Sequence, residues 1–417
     1  MEERSTPMNV IRMVYAVMAV TVFFGNVPNW LHFQYGVGVP WYWVVALIVL
    51  SLPLLFLAVV TSNIVRQPLV VWCYGYLCLT MIWFIVGPQT EMAWQEVRWR
   101  VLAIMEVLSF LAIFMDAQAN QFARRTVVAA VHVGVAVNIY ELFVPMSFSN
   151  VFGRSAGLYL SPNLAGEALV LGMIVGITVV PAWYRGLFVL LTGVGVFVTY
   201  SRGGLIGWCL AVGGLLLGRF VNTRQVAQAG LAALLLVGLL IVPKLNDILA
   251  TLERAGAFNA DALERLAWLT DPSGVSDTSS WSRIYVAQQA WQRLAEHPFW
   301  GEGTGAVHEG LDIPPHNQFL AYMIDHGVLG ALLLPWLLLA LLWPARADRR
   351  RIGVIFSVTV LWFSFFTHTL LNNPYSLLLF ALMAAFAPAG RRPVRPMSQA
   401  IHPALIPGQS VLARARS

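Results

Sequence analysis

Twelve apolar segments recur along this chain from one end to the other, and one long polar connection interrupts them. They run over roughly 9–25, 41–60, 68–87, 101–116, 126–145, 163–181, 186–200, 203–218, 225–243, 318–343, 352–370 and 374–388. A helix that crosses a bilayer needs about 20 such residues. The composition agrees: 58% of the 417 residues are apolar, enough for about twelve spans. Charged residues make up only 11%, against roughly 25% in soluble domains. So few charges cannot cover a soluble protein of this size. A soluble enzyme, a disordered chain and a disulfide scaffold are excluded. The expected fold is an all-α integral membrane protein with about 12 transmembrane helices.

The chain divides into four parts. Residues 1–243 hold spans one to nine, 244–315 form the long connection, 316–388 hold spans ten to twelve, and 389–417 are a basic tail that reads as disordered. The seventh and eighth spans are short, and Arg202 divides them. Glu106 and Asp116 weaken the fourth. No small-residue cleavage site follows the first apolar run, which reads as a retained span. Cys73, Cys78 and Cys209 all lie in apolar runs, with no disulfide framework or zinc-like spacing.

Basic residues assign the sides. Of 26 basic residues, all but Lys244 are arginine. Arg66, Arg124, Arg125, Arg185, Arg219, Arg224, Arg346 and Arg349–Arg351 fall on loops of one side, with both tails. That side is expected to be cytoplasmic. The net charge of +6 is then mostly topological, and no nucleic-acid partner is implied. The long connection lies on the other side. Its mixed charge suits a small helical cap, and connections of such length are usually functional.

Four arginines in short outer loops break this pattern: Arg98, Arg100, Arg154 and Arg202. Arg202 sits in Tyr200-Ser201-Arg202-Gly203-Gly204, where the glycines suit a tight turn. Its guanidinium either waits for a phosphate, which arginine matches bidentately, or snorkels to anchor a helix end. An intramembrane ionisable residue favours the first. Arg283 opens a helical pattern over Trp281–Glu296, with Ser280 as N-cap and Ile284, Ala287, Trp291, Leu294 and Ala295 on one face. A cation in the first turn opposes the helix dipole unless an anion joins it there. The alternative is a solvated surface arginine. This helix also suits the membrane interface.

His316 starts the tenth span, after Pro314-Pro315. There it is either a general base titrating near neutrality or a packing or capping residue. His297, His308 and His368 are weaker candidates, and Asp325 with His326 reads as a buried structural pair. Arg154 could contact phosphate or sugar. Arg98 and Arg100, flanking Trp99, either reach the same surface or anchor the interface. Glu141 and Glu167 are left without a role. No Walker A, GxSxG, HExxH or Asp-x-Asp pattern occurs, so phosphoryl or glycosyl chemistry here would neutralise charge with arginine rather than metal.

Two stretches resemble the bacterial O-antigen ligase/polymerase superfamily, membrane glycosyltransferases that use polyprenyl-diphosphate sugars. One is Tyr200-Ser201-Arg202-Gly203-Gly204-Leu205-Ile206-Gly207. The other runs from His297-Pro298-Phe299-Trp300-Gly301-Glu302-Gly303 to His316-Asn317, then nine residues, then Gly327-Val328-Leu329-Gly330. The resemblance covers roughly 150–335. It implies a GT-C-like architecture in the bacterial inner membrane with a periplasmic site. The donor would be an undecaprenyl-diphosphate-linked glycan and the acceptor a sugar hydroxyl of lipid A-core. It implies His316 as base, and Arg202 and Arg283 on the diphosphate. Ser201, Asn317, Arg154, Arg98 and Arg100 would bind substrate. Inversion at the anomeric carbon is implied, with no cofactor or metal. Pro315 stands where some ligases place a second histidine. The short 146–162 loop and short tail favour a ligase over a polymerase or a protein O-oligosaccharyltransferase. A flippase or transporter also fits the composition, but two related halves are absent.

Overall fold

The computed structural model describes residues 7–61, 64–149, 151–236, 239, 242–254, 256, 263, 278–311, 313–343, 345 and 347–386. The expected tail at 389–417, Arg346 and half of the ten acidic residues of the long connection lie outside them. Among the described residues the fold is all-helical. The helices are α1 (Pro7–Ala19, continued by a π turn, Val20–Phe24), α2 (Val27–Tyr35), α3 (Pro40–Thr61), α4 (Pro68–Val86), α5 (Glu91–Phe114) and α6 (Ala117–Phe143). There follow α7 (Pro162–Gly176), α8 (Arg185–Phe197), α9 (Arg202–Leu217), α10 (Thr223–Leu236) and α11 (Leu245–Arg254). The last five are α12 (Thr278–Glu296), α13 (Gln318–His326), α14 (Val328–Leu342), α15 (Asp348–Ser364) and α16 (Pro374–Phe386).

Each of the twelve apolar segments falls on a helix or a helix pair. By length and apolarity, three described helices can cross a membrane alone: α3, α4 and α6. A fourth candidate is the pair Met8–Phe24 and Val27–Tyr35, bent by 48°. The other apolar helices are shorter. At 1.5 Å per residue, the 15 residues of α7 reach about 22 Å, less than the ~30 Å hydrocarbon core. α2 was not anticipated. Asn26, at φ +54°, breaks the first apolar run and starts it.

Lipid-facing and core helices differ in where their apolar side chains point. Phe56, Val60, Val86 and Leu217 are exposed, whereas α7 from Ala165 to Gly176 is buried along its whole length. α7 packs against α6, α8, α9 and α15, and α16 against α5. In lipid such contacts rest on close packing more than on water exclusion.

The tenth apolar segment is two helices, not one. Gly327, at φ +59° and ψ −149°, separates α13 from α14. The chain after α12 lies across this break. Val328 N–H donates to Pro298 O (3.0 Å), Glu302 N–H to Ile324 O (2.8 Å) and Gly303 N–H to Asp325 O (3.0 Å). A Cβ on Gly327 would meet Phe299 O at 2.2 Å, and one on Gly330 would meet Tyr322 O at 1.9 Å. Gly327 thus lets the long connection seat on the helix that His316 precedes, and Gly330 lets α14 fold back closely on α13.

Candidate functional site

α9 begins at a built cap. Ser201 Oγ accepts from Gly204 N–H (3.1 Å) and donates to Asn163 Oδ1 (3.1 Å), tying α9 to the start of α7. The tight turn differs from expectation. Tyr200 makes it, at φ +50°, while Gly203 and Gly204 lie in the first helical turn. Arg202 is the first residue of α9, and Trp362 Nε1–H holds Gly203 O (2.9 Å).

α13 is positioned just as firmly. Asn317 Oδ1 accepts from Phe319 N–H (2.9 Å) and Leu320 N–H (3.1 Å). Gln318 Oε1 accepts from Leu370 N–H (2.9 Å), which ties α13 to the connection between α15 and α16. His316 is therefore held one residue before a capped helix. Asn317, expected on the substrate, spends its amide oxygen on this cap.

α12 starts at Thr278, two residues before the expected Ser280 cap. Arg283 falls in its second turn rather than its first. The buried face is also rotated from the expected one. Val286, Ala290 and Leu294 point inward, while Ile284 and Trp291 are exposed with Trp281 and Tyr285. That exposed aromatic face keeps α12 suited to a membrane interface.

These elements meet at one cavity of about 200 Å³. Ser201, Gly203, Gly204, Arg283 and His316 line it, with Asn163, Glu167 and His368. His368 comes from the α15–α16 connection, and its ring centroid is 5.6 Å from that of His316. The position beside His316 in sequence is proline, but the fold supplies a second histidine in space. Partial burial lowers the His316 pKa, and the Arg283 charge lowers it further. Burial, then the His316 and His308 charges, push His368 down to about 4. Both imidazoles are therefore neutral at pH 7, and a neutral imidazole can accept a proton. Glu167 is buried and accepts from Tyr375 O–H (2.6 Å). Sequence patterns gave Glu167 and His368 no such place, because the partners sit about 200 and 50 residues away in the chain.

Arg202 stands between the lining residues Ser201 and Gly203 but is not itself in the lining, and the remaining arginines separate. Arg154 is buried behind the cavity wall, donating to Thr199 O (3.3 Å) and Asn163 Oδ1 (3.4 Å). Arg98 is on the surface, paired with Glu91 (3.1 Å). Arg100 is 1% exposed and does not line this cavity. Its guanidinium pairs with Glu96 (2.8 Å) and Asp325, contacts His326, and lies 4.9 Å over the Tyr322 ring. Asp325 in turn accepts from Gly305 N–H (3.1 Å) and Val307 N–H (2.9 Å). The expected Asp325–His326 pair is thus part of a buried cluster built on Arg100. Glu141 has a role too: its carboxylate accepts from Phe148, Ser149, Ala156 and Gly157 N–H, and so folds the loop before α7.

A larger cavity, about 670 Å³, is lined in part by the same α15–α16 connection. Asn372–Pro374 line it, while Thr367–Thr369 of the same connection line the smaller one. Trp41, Trp99, Gln95 and the buried Glu106 face it, as does His308, 3.5 Å from Glu96. Indole faces beside amides and carboxylates suit a saccharide, whose rings have apolar faces and hydroxyl edges.

Residues 187–335 match the model of the O-antigen ligase family. Ser201, Arg202, Arg283, His316 and Asn317 all fall within that stretch. No curated protein matches the chain.

Proposed function

We propose that this chain, a membrane protein placed by residues 187–335 in the O-antigen ligase/polymerase superfamily, is an O-antigen ligase. It transfers glycan from undecaprenyl diphosphate to a sugar hydroxyl of lipid A-core. The observation that carries this reading is one cavity lined by Ser201, Arg283 and His316 from three separate parts of the chain.

His316 takes the proton of the acceptor hydroxyl as that oxygen attacks the anomeric carbon. The bond from that carbon to the diphosphate oxygen breaks, and the electron pair leaves with the undecaprenyl diphosphate. Arg283 and Arg202, with the N-terminus of α9, stabilise the leaving charge. Direct attack inverts the anomeric carbon. The sugar rings occupy the larger cavity. Arginines supply the countercharge, so the reaction needs neither metal nor nucleotide. α9 starts at the His316 cavity, and its other end lies at a cavity lined by Arg124, Arg185, Arg219, Arg349 and Arg351. The positive-inside rule then puts the site on the periplasmic face of the inner membrane and both termini in the cytoplasm.

The test is reconstitution. Purified protein receives undecaprenyl-diphosphate-linked O-antigen and rough lipopolysaccharide, with EDTA and without ATP. A glycan ladder on lipid A-core is the expected product. Donor–donor products alone would make the protein a polymerase. No transfer, with labelled lipid crossing a liposome bilayer, would make it a transporter.

The pH profile gives a second check. His316 acts as its neutral form, so transfer falls as pH drops through its lowered pKa. Removing the Arg283 charge makes protonation easier and raises that pKa. In Arg283→Gln the acid limb of the normalised profile is expected to move to higher pH, on top of a lower rate. An unmoved limb would mean that Arg283 does not act on His316.

A further inference from the structure

At the end opposite His316, a cavity of about 590 Å³ opens among the α5–α6, α7–α8, α9–α10 and α14–α15 junctions. Arg124, Arg185, Arg219, Arg349 and Arg351 line it, against a single acid among the described residues, Asp348. Asp348 pairs with Arg351 (3.4 Å). Positive-inside topology explains arginines near this end but not this arrangement. A topogenic arginine keeps its charge in water. Arg124 is 1% exposed. Its partners among the described residues are neutral: Asn120 Oδ1 (3.1 Å), Thr178 Oγ1 (2.7 Å) and Met383 Sδ (3.8 Å). Its guanidinium carbon lies 3.4 Å from the centroid of the Phe386 ring, and that of Arg349 lies 4.9 Å from the same centroid. Two guanidinium groups therefore crowd one ring at the cavity wall, one of them buried without a carboxylate. Arg219 is held at φ +59°, a conformation that glycine adopts at lower cost. Burying a cation without an anion costs several kcal/mol.

We propose that this cavity binds a phosphate-bearing anion, which neutralises Arg124 and Arg349 and joins the four junctions. Planar guanidinium groups match phosphate oxygens bidentately, and basic pockets between helices at the cytoplasmic side of a membrane suit anionic headgroups. The source is a phospholipid headgroup or free phosphate. This binding is independent of glycan transfer, since no residue of the cavity lines the His316 site.

The experiment follows thermal unfolding of the full-length protein in nanodiscs. One set contains phosphatidylcholine alone, a second adds phosphatidylglycerol, and a third adds inorganic phosphate to phosphatidylcholine, with chloride as the ionic control. Phosphatidylglycerol is expected to raise the midpoint progressively, by smaller steps as its fraction grows. The rim variant Arg349→Gln/Arg351→Gln should weaken the apparent affinity about tenfold or more, read against its own midpoint in phosphatidylcholine because Arg349 also donates to Phe386 O (2.8 Å). Arg124→Gln should abolish the anion-dependent part of the midpoint. A shift produced by inorganic phosphate as well would assign free phosphate as the source. Equal midpoints in all sets, or a rim variant with unchanged affinity, would overturn the proposal.

Discussion

His316→Ala is expected to lower glycan transfer by about a hundredfold to ten-thousandfold while leaving the fold intact. His316 precedes a helix that Asn317 caps and Gln318 anchors, and among the described residues its side chain makes no hydrogen bond that alanine would break. It lines the cavity beside Arg283 and His368, and it is neutral at working pH. The readout is initial transfer rate at saturating donor, alongside the thermal midpoint. Glu167→Gln is the control, because among the described residues Glu167 is the one carboxyl group lining the same cavity. Transfer within threefold of wild type in His316→Ala, with loss in Glu167→Gln, would move the base role from the histidine to the carboxylate.

Arg100→Ala is expected to destabilise the protein by about 3–5 kcal/mol, the cost of breaking a buried ion cluster and stranding its partners. Without the guanidinium, Asp325 would stay buried without a countercharge and Glu96 would keep only His308, 3.5 Å away. Asp325 also holds the 305–307 turn, so the loss would spread into the long connection. Thermal unfolding measures the effect. The outcome separates two readings of this residue. If Arg100→Ala unfolds like wild type and loses only acceptor affinity, Arg100 binds substrate as its sequence position suggested.

The same residue shows where sequence reasoning stops. Arg98, Arg100, Arg154 and Arg202 look alike in the sequence, each an arginine breaking the charge bias of outer loops. The fold puts Arg98 on the surface, Arg100 in a buried cluster, Arg154 behind a wall and Arg202 at a helix start beside the cavity. Charge bias reports which side a loop is on; it carries no information on what a side chain touches. α12 gives a second case. Its apolar residues are spread over enough of the helix that two faces satisfy the periodicity, and packing against α13 selects the one with Val286, Ala290 and Leu294.

The helical class and the positions of the apolar segments follow from the sequence, whereas a shared place for Ser201, Arg283 and His316 is implied only by the family resemblance and depends on packing. Hydrophobic periodicity, charge bias and short local motifs are properties of neighbouring residues, so the chain itself records them. The second histidine, the Glu167–Tyr375 pair, the break at Gly327 and the arginine cavity are not recorded that way. Each depends on groups separated by tens to hundreds of residues, or on a backbone pressed close by another segment. Only the packing of the helices decides which distant side chains share a low-dielectric space, and therefore which charges must find partners there.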